Sequence, residues 1–168
     1  MEDLSKTLSA NRPGAPESGA ESGRINAGEI RRRLEAHGIL PTAQRIDIAS
    51  ILFAERGHYS AEDVYNKVNH AAMASIANGF SRKRASKATV YNTLGLFAEK
   101  GLVKEVIADP DRVFFDTYTG PHHHMFNTDT GELKDIDGES VNVIGLPALP
   151  EGAELESIEL IVRWHQKK

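Results

Sequence analysis

The chain has 168 residues, 40% of them hydrophobic, with 20 Lys and Arg against 24 Asp and Glu for a net charge of −4. That composition suits one or two compact domains, and no apolar run approaches the ~20 residues that a membrane helix needs. With no cysteine, a disulfide framework, thiolate zinc clusters and thiol catalysis are excluded; with no signal-peptide core, a cytoplasmic location is expected.

Residues 1–25 are rich in Gly, Ser, Pro, Ala and Glu and carry no hydrophobic periodicity. Such a segment cannot bury enough to offset its chain entropy, so a disordered tail is expected. Helix punctuation then becomes regular. Asn26 with Glu29 forms a capping pattern and Gly38 a stop. Thr42 can cap a helix carrying Ile46, Ala49, Ile51, Leu52 and Phe53, ended by Gly57. Ser60 with Asp63 reads as a capping box ahead of Val64, Val68 and Ala72. A loop is expected over residues 75–87, with a basic run ending Arg82-Lys-Arg-Ala-Ser-Lys87. Ser86 can then cap a helix whose Val90, Leu94 and Phe97 fall at helical spacing, closed by Gly101.

From Leu102 the period changes. Leu102–Ile107 and Arg112–Thr117 are β-branched and aromatic stretches joined by the turn Ala-Asp-Pro-Asp. A hairpin directly after a helix–loop–helix is the order of a winged helix-turn-helix. Strands are expected at 122–127 and 132–136 across a Thr-Asp-Thr-Gly turn. A Pro/Gly-rich connection then leads to a last strand over Leu155–Trp164. The predicted class is α+β: a winged-helix domain over 26–117, then a β-rich domain over 118–168.

Charge divides along the same line. Residues 24–107 hold 13 Lys/Arg against 8 Asp/Glu, a net of +5, whereas residues 108–168 hold 5 against 12, a net of −7. A basic module beside an acidic one points to nucleic-acid binding by the first. In a winged helix the helix after Ser86 reads the major groove with its N-terminal turns. Its apolar stripe leaves Thr89, Tyr91 and Asn92 to face bases, since Tyr can pack on a thymine methyl and Asn can pair with adenine. Arg82, Lys83, Arg84 and Lys87 lie just before it, placed for phosphates.

His122, His123 and His124 are consecutive at the start of a strand. Alternation sends His122 and His124 to one face, half of a metal chelate, and His123 to the other. Asp116 and His58 can complete the first set, a metal held between two domains. His123 can pair with His165 in a second metal or haem site. Imidazoles without thiolate suit ferrous iron, manganese or zinc, or can serve as axial ligands of haem. No nucleophile paired with a base, no Gly-rich phosphate loop and no His-Glu-x-x-His motif is present, so an enzyme is not expected. The alternatives are a metal-buffering or storage protein without a DNA target and, behind it, a metalloenzyme.

Ser60-Ala-Glu-Asp-Val-Tyr65, Lys87-Ala-Thr-Val-Tyr-Asn-Thr-Leu94, Gly101-Leu-Val103 and Phe115-Asp with His122-His-His124 resemble the ferric uptake regulator (Fur) family. The likeness spans roughly residues 28–165. Phe114–Thr119, the His run and Leu149–Gly152 look most like its iron response regulator (Irr) branch. The resemblance implies a homodimeric repressor of iron or metal homeostasis genes, joined through residues 118–168 and gripping a palindromic AT-rich operator. It places the family's regulatory metal on His58, Asp116, His122 and His124, with Asp116 where Glu is usual, and leaves Arg45 to contact phosphate. The family's second site is matched only by His123 and His165, because Pro121 and Asn142 stand at two of its other positions. The structural zinc site is absent, Asn127 and Thr130 replacing its first cysteines. Leu40 replaces a basic residue that reaches the minor groove in many relatives. Without cysteine there is no Cys-Pro haem motif, which leaves His122–His124 as the place for haem.

Overall fold

The computed structural model describes residues 25–80 and 82–167. Of the expected disordered tail only Ile25 falls within them, and Ser81 lies outside.

Four helices form where the caps predict. In α1 (Ala27–Ala36) the Asn26 side chain accepts from the Glu29 N–H, and in α2 (Ala43–Leu52) Thr42 accepts from Arg45. Ser60 and Asp63 complete a reciprocal capping box on α3 (Ala61–Ala77), and Ser86 caps α4 (Lys87–Glu99) through the Thr89 N–H. Gly38 and Gly101 close α1 and α4 at φ of 68° and 67°. The following N–H groups of Ile39 and Leu102 reach back to Leu34 and Phe97 carbonyls, a closure that needs the left-handed backbone glycine tolerates.

Two boundaries differ from expectation. α3 continues through Ala77, where Gly79 makes the same closure and Phe80 N–H bonds Ser75 O; a run of Ala, Met, Ser and Ile holds no helix breaker before it. α2 ends at Leu52, five residues before Gly57, because Phe53 already leaves helical geometry.

A three-residue strand β1 (His58–Ser60), unexpected from the sequence, adds to the hairpin of β2 (Lys104–Asp109) and β3 (Arg112–Asp116) in the order β1-β3-β2. A second sheet has the order β5-β4-β6, from β4 (His123–Asn127), β5 (Leu133–Ile136) and β6 (Ile161–Trp164). The expected Leu155–Trp164 strand shrinks to its last four residues. The chain before it carries Pro147, Pro150 and the glutamates Glu151, Glu154, Glu156 and Glu159, and among the described residues it has no neighbouring strand to pair with.

Alternation on β3 explains how the two sheets meet. Phe115 joins the main core with Leu34, Ile48, Leu52, Val64, Leu94 and Phe97. Phe114, on the opposite face, joins Val106 and Ala108 in a second core with Phe126 and Leu133, against which Ile161 packs. The Phe114 and Phe126 rings lie 6.0 Å apart at 64°. Arg163 donates to the Ala108 carbonyl at 3.0 Å, and Arg112 to that of Gly131 at 2.9 Å. The hairpin is therefore packed on both sides.

Candidate metal centre

The antiparallel register of β1 and β3 sets His58 opposite Asp116, and that of β4 and β5 sets His124 opposite Asp135. Stacking the sheets brings both pairs and His122 to one point. One donor atom from each of His58, Asp116, His122, His124 and Asp135 lies within 4.8 Å of every other. His122 Nε2 is 2.8 Å from Asp116 Oδ2 and 3.0 Å from His124 Nε2. His58 Nε2 is 2.9 Å from Asp135 Oδ1 and 3.7 Å from Asp116 Oδ2.

Proton positions follow from the neighbours. His122 Nδ1 is 2.8 Å from the Gly120 carbonyl, which only accepts, so Nδ1 carries the hydrogen and Nε2 of the neutral ring keeps its lone pair. Burial pushes the His58 imidazole below its ordinary value; Asp116 and Asp135 oppose this, and His124 and His122 reinforce it. Burial alone would raise Asp116, but the facing His124, the Tyr118 N–H, His58 and His122 outweigh it and hold the carboxyl below its usual range. The site thus favours a neutral His58 imidazole beside an ionised Asp116 carboxylate.

Whether these residues suit a metal can be judged from what they lack. Among the described residues, His58 Nε2, Asp116 Oδ2 and His124 Nδ1 are buried without an aligned hydrogen-bond partner. The short His58–Asp135 approach is off line for a hydrogen bond, and so is that of His124 Nδ1 to Glu159 Oε1 at 3.3 Å. Buried polar atoms without partners are costly. A shared cation would satisfy the donor atoms that three rings and two carboxylates bring together, His58 Nε2 and Asp116 Oδ2 among them. Three nitrogens and two oxygens fit ferrous iron or manganese, and exceed the four ligands of a structural zinc site.

Four of these five are the residues expected from the sequence, and the structure brings them together. The fifth, Asp135, is not among the expected residues, though its pairing with His124 can be counted back from the Thr-Asp-Thr-Gly turn. The second expected site does not form within the chain. β4 and β6 run parallel with His124 beside Ile161 and Asn127 beside Trp164, so His123 starts one strand while exposed His165 follows the end of the other. His123 Nδ1 instead accepts the Leu160 N–H at 3.4 Å. The haem expectation also meets an obstacle. His124 is 0% exposed, and the His122 and His124 Nε2 atoms aim at one small space rather than at opposite faces of a macrocycle. Adding haemin should therefore give no Soret band of a ligated haem; a saturable Soret band lost in His122→Ala would reverse that conclusion.

On α4, Tyr91 is 53% exposed, Asn92 is exposed and Thr89 is half-buried. Lys83 and Arg84 are exposed, and Lys87 pairs with Glu62 at 2.9 Å. Arg45 donates to the Leu40 carbonyl at 3.0 Å. Arg82, expected among the phosphate contacts, pairs its guanidinium with Asp47 of α2 while its side chain stays partly exposed, so it also ties the loop down. Asn69 performs a related task unforeseen from the sequence, the one sign being an amide at a buried position in α3. Its Oδ1 accepts the Ala85 N–H at 2.9 Å and its Nδ2 donates to the Ala85 carbonyl at 3.0 Å. Together these bonds seat the chain just before the cap of α4. Asn69→Ala leaves two buried backbone groups unpaired and should cost about 2 kcal/mol, read as a fall in the thermal unfolding midpoint.

Comparison with known proteins follows the same architecture. The sequence profile described as the ferric uptake regulator family matches residues 36–163. The peroxide operon regulator of Bacillus subtilis is 33% identical over 108 residues, which is 64% of this chain and 68% of that protein. A peroxide-responsive repressor of Staphylococcus aureus is 29% identical over 111 residues, 66% of this chain and 68% of that one. Among solved structures, the ferric uptake regulator of Pseudomonas aeruginosa with manganese superimposes with a TM-score of 0.57 at 30% identity, over 82% of this chain and 98% of that chain. The Vibrio cholerae ferric uptake regulator shares the fold with a TM-score of 0.58 at 22% identity, over 81% and 98%.

Proposed function

The chain belongs to the ferric uptake regulator family, and from that premise we propose that it is a dimeric, metal-responsive, DNA-binding transcriptional repressor of metal homeostasis genes acting in the cytoplasm. No helix among the described residues is long and apolar enough to cross a membrane. The observation that carries the reading is the five-residue donor set, because its members come from both sheets: His58 and Asp116 from one, His122, His124 and Asp135 from around the other. A divalent cation bound there supplies the positive charge that lets these groups share one point and links the two sheets.

Residues 26–117 serve as the DNA-binding unit and 118–168 as the dimerising and sensing unit. Tyr91 and Asn92 reach base edges from α4, while Lys83 and Arg84 meet phosphates before it, and Arg45, Lys87 and Thr89 flank them. Exposed Leu146, Leu149, Leu155 and Trp164 supply apolar surface for the second protomer. A buffering protein would have no use for an exposed, capped helix seated by Asn69 and Arg82. The family's members are transcription regulators, not enzymes.

A mobility-shift titration on a palindromic AT-rich operator, with Mn2+ and with chelator, tests this. Binding should depend on metal and should weaken with salt at a log–log slope of about −3.6 if Lys83 and Arg84 of both protomers touch phosphate. Absent or salt-insensitive binding in every metal state would sink the regulator. The sign of the metal effect bears on the finer placement: stronger binding without metal fits the Irr branch, to which Phe114–Thr119 and the His run point, and stronger binding with metal fits the wider family.

A second reading is a peroxide response, favoured by the curated relatives' being peroxide regulators and by a nitrogen–oxygen set suited to ferrous iron. Under it, peroxide should release DNA from the iron-loaded protein and leave the manganese-loaded protein bound. Equal behaviour of the two would remove this reading alone.

A further inference from the structure

Asp135 differs from the other four donors. It lies on β5, its side chain is 29% exposed, and its second oxygen is already held: Arg56 donates from Nη2 to Oδ2 at 2.7 Å. Arg56 belongs to the turn between α2 and β1, two residues before His58. Its guanidinium also stacks over the Tyr118 ring at 3.8 Å, and that ring lies 5.1 Å from the ring of His122. Arg56 thus reaches from the edge of one sheet to a metal-directed carboxylate on the other.

Asp116 is held in the same manner. Its Oδ1 accepts the Tyr118 N–H at 2.8 Å, which leaves only Oδ2 turned toward the three imidazoles. A carboxylate can bind a cation through one oxygen or two. In this site each carboxylate has one oxygen engaged elsewhere, so each offers one.

Resting on the metal reading above, we propose that Arg56 is a positioning residue for the metal: it holds Asp135 against the His58 side of the site and restricts it to one ligating oxygen. A guanidinium suits the task, because a charge-assisted bond fixes a planar carboxylate in direction as well as distance. The tether spans the two sheets, so His58 and Asp135 remain adjacent without a metal, and the site is partly assembled before binding. As an ordinary ion pair, Arg56–Asp135 would matter little, since Arg56 is 57% exposed and surface pairs contribute little to stability. That exposure also screens its repulsion of a bound cation. Its effect should therefore appear in metal binding rather than in folding.

The experiment is a double-mutant cycle on Mn2+ affinity, measured on the full chain by competition with a chelator. Arg56→Ala should weaken Mn2+ about tenfold, as is typical for loss of a group that orients a ligand. Arg56→Lys should recover part of the loss. In an Asp135→Asn background, Arg56→Ala should change nothing further, because its target no longer ligates as a carboxylate. Unchanged or tighter Mn2+ binding in Arg56→Ala overturns the proposal. So does an equal loss in both backgrounds, which would mean that Arg56 acts through Tyr118 or the fold. Failure of the unaltered protein to bind Mn2+ has a different consequence, overturning the metal reading itself.

Discussion

His122→Ala combined with His124→Ala is expected to abolish metal-dependent DNA binding while leaving a folded dimer. Removing a group that merely orients a ligand costs about 10–100-fold in metal affinity, and removing two ligands directly should exceed about 100-fold. The two rings are 4% and 0% exposed and their Nε2 atoms are 3.0 Å apart, so their loss opens the middle of the site rather than its rim. The remaining His58, Asp116 and Asp135 supply one nitrogen and two carboxylates, a poor match for ferrous iron. Mn2+ affinity by chelator competition and operator affinity with and without metal are the measurements. Retained metal response in the double variant would falsify the assignment. The fold should survive, because the second core is built from Val106, Ala108, Phe114, Phe126 and Leu133, none of which is altered.

Phe97→Ala should act through stability instead. Phe97 is fully buried at the C-terminal half of α4 and packs in the core shared by all four helices. Truncating such a ring costs about 3–5 kcal/mol, a large part of the 5–15 kcal/mol by which domains are stable. At about 2–4 °C per kcal/mol for a chain of this size, the unfolding midpoint should fall by about 10 °C. Operator binding should fall with it, since α4 carries Tyr91 and Asn92. The two variants separate by a simple criterion. Metal should raise the melting point of Phe97→Ala, whose site is intact, by selective binding to the folded state; it should leave that of the double histidine variant unmoved.

Most of the fold was legible because its signals are local. Asn26, Thr42, Ser60 and Ser86 each satisfy an N–H two or three residues on, and Gly38 and Gly101 each close a helix over six residues. The hairpin turn and the Thr-Asp-Thr-Gly turn also act over four residues. The errors cluster where a distant partner decides. β1 is three residues long and exists because β3 is beside it. The segment before β6 stays irregular because, among the described residues, no strand is beside it. The Arg82–Asp47 pair joins residues 35 apart in the chain, a contact that no local signal announces.

The candidate site divides in the same way. The choice of residue types was set by the sequence alone: imidazole and carboxylate in a chain without cysteine, with His122 and His124 sharing a face through the two-residue period of a strand. So were the basic middle and acidic end behind the net charge of −4. Only the packing of one sheet on the other decided that His58, Asp116, His122, His124 and Asp135 meet, that His123 and His165 do not, and that Arg56 restrains Asp135. The physical reason is range. Caps, turns and alternation depend on neighbours in the chain, whereas a metal site needs donors from several strands within a few ångströms, and that proximity is set by register and by the shared core.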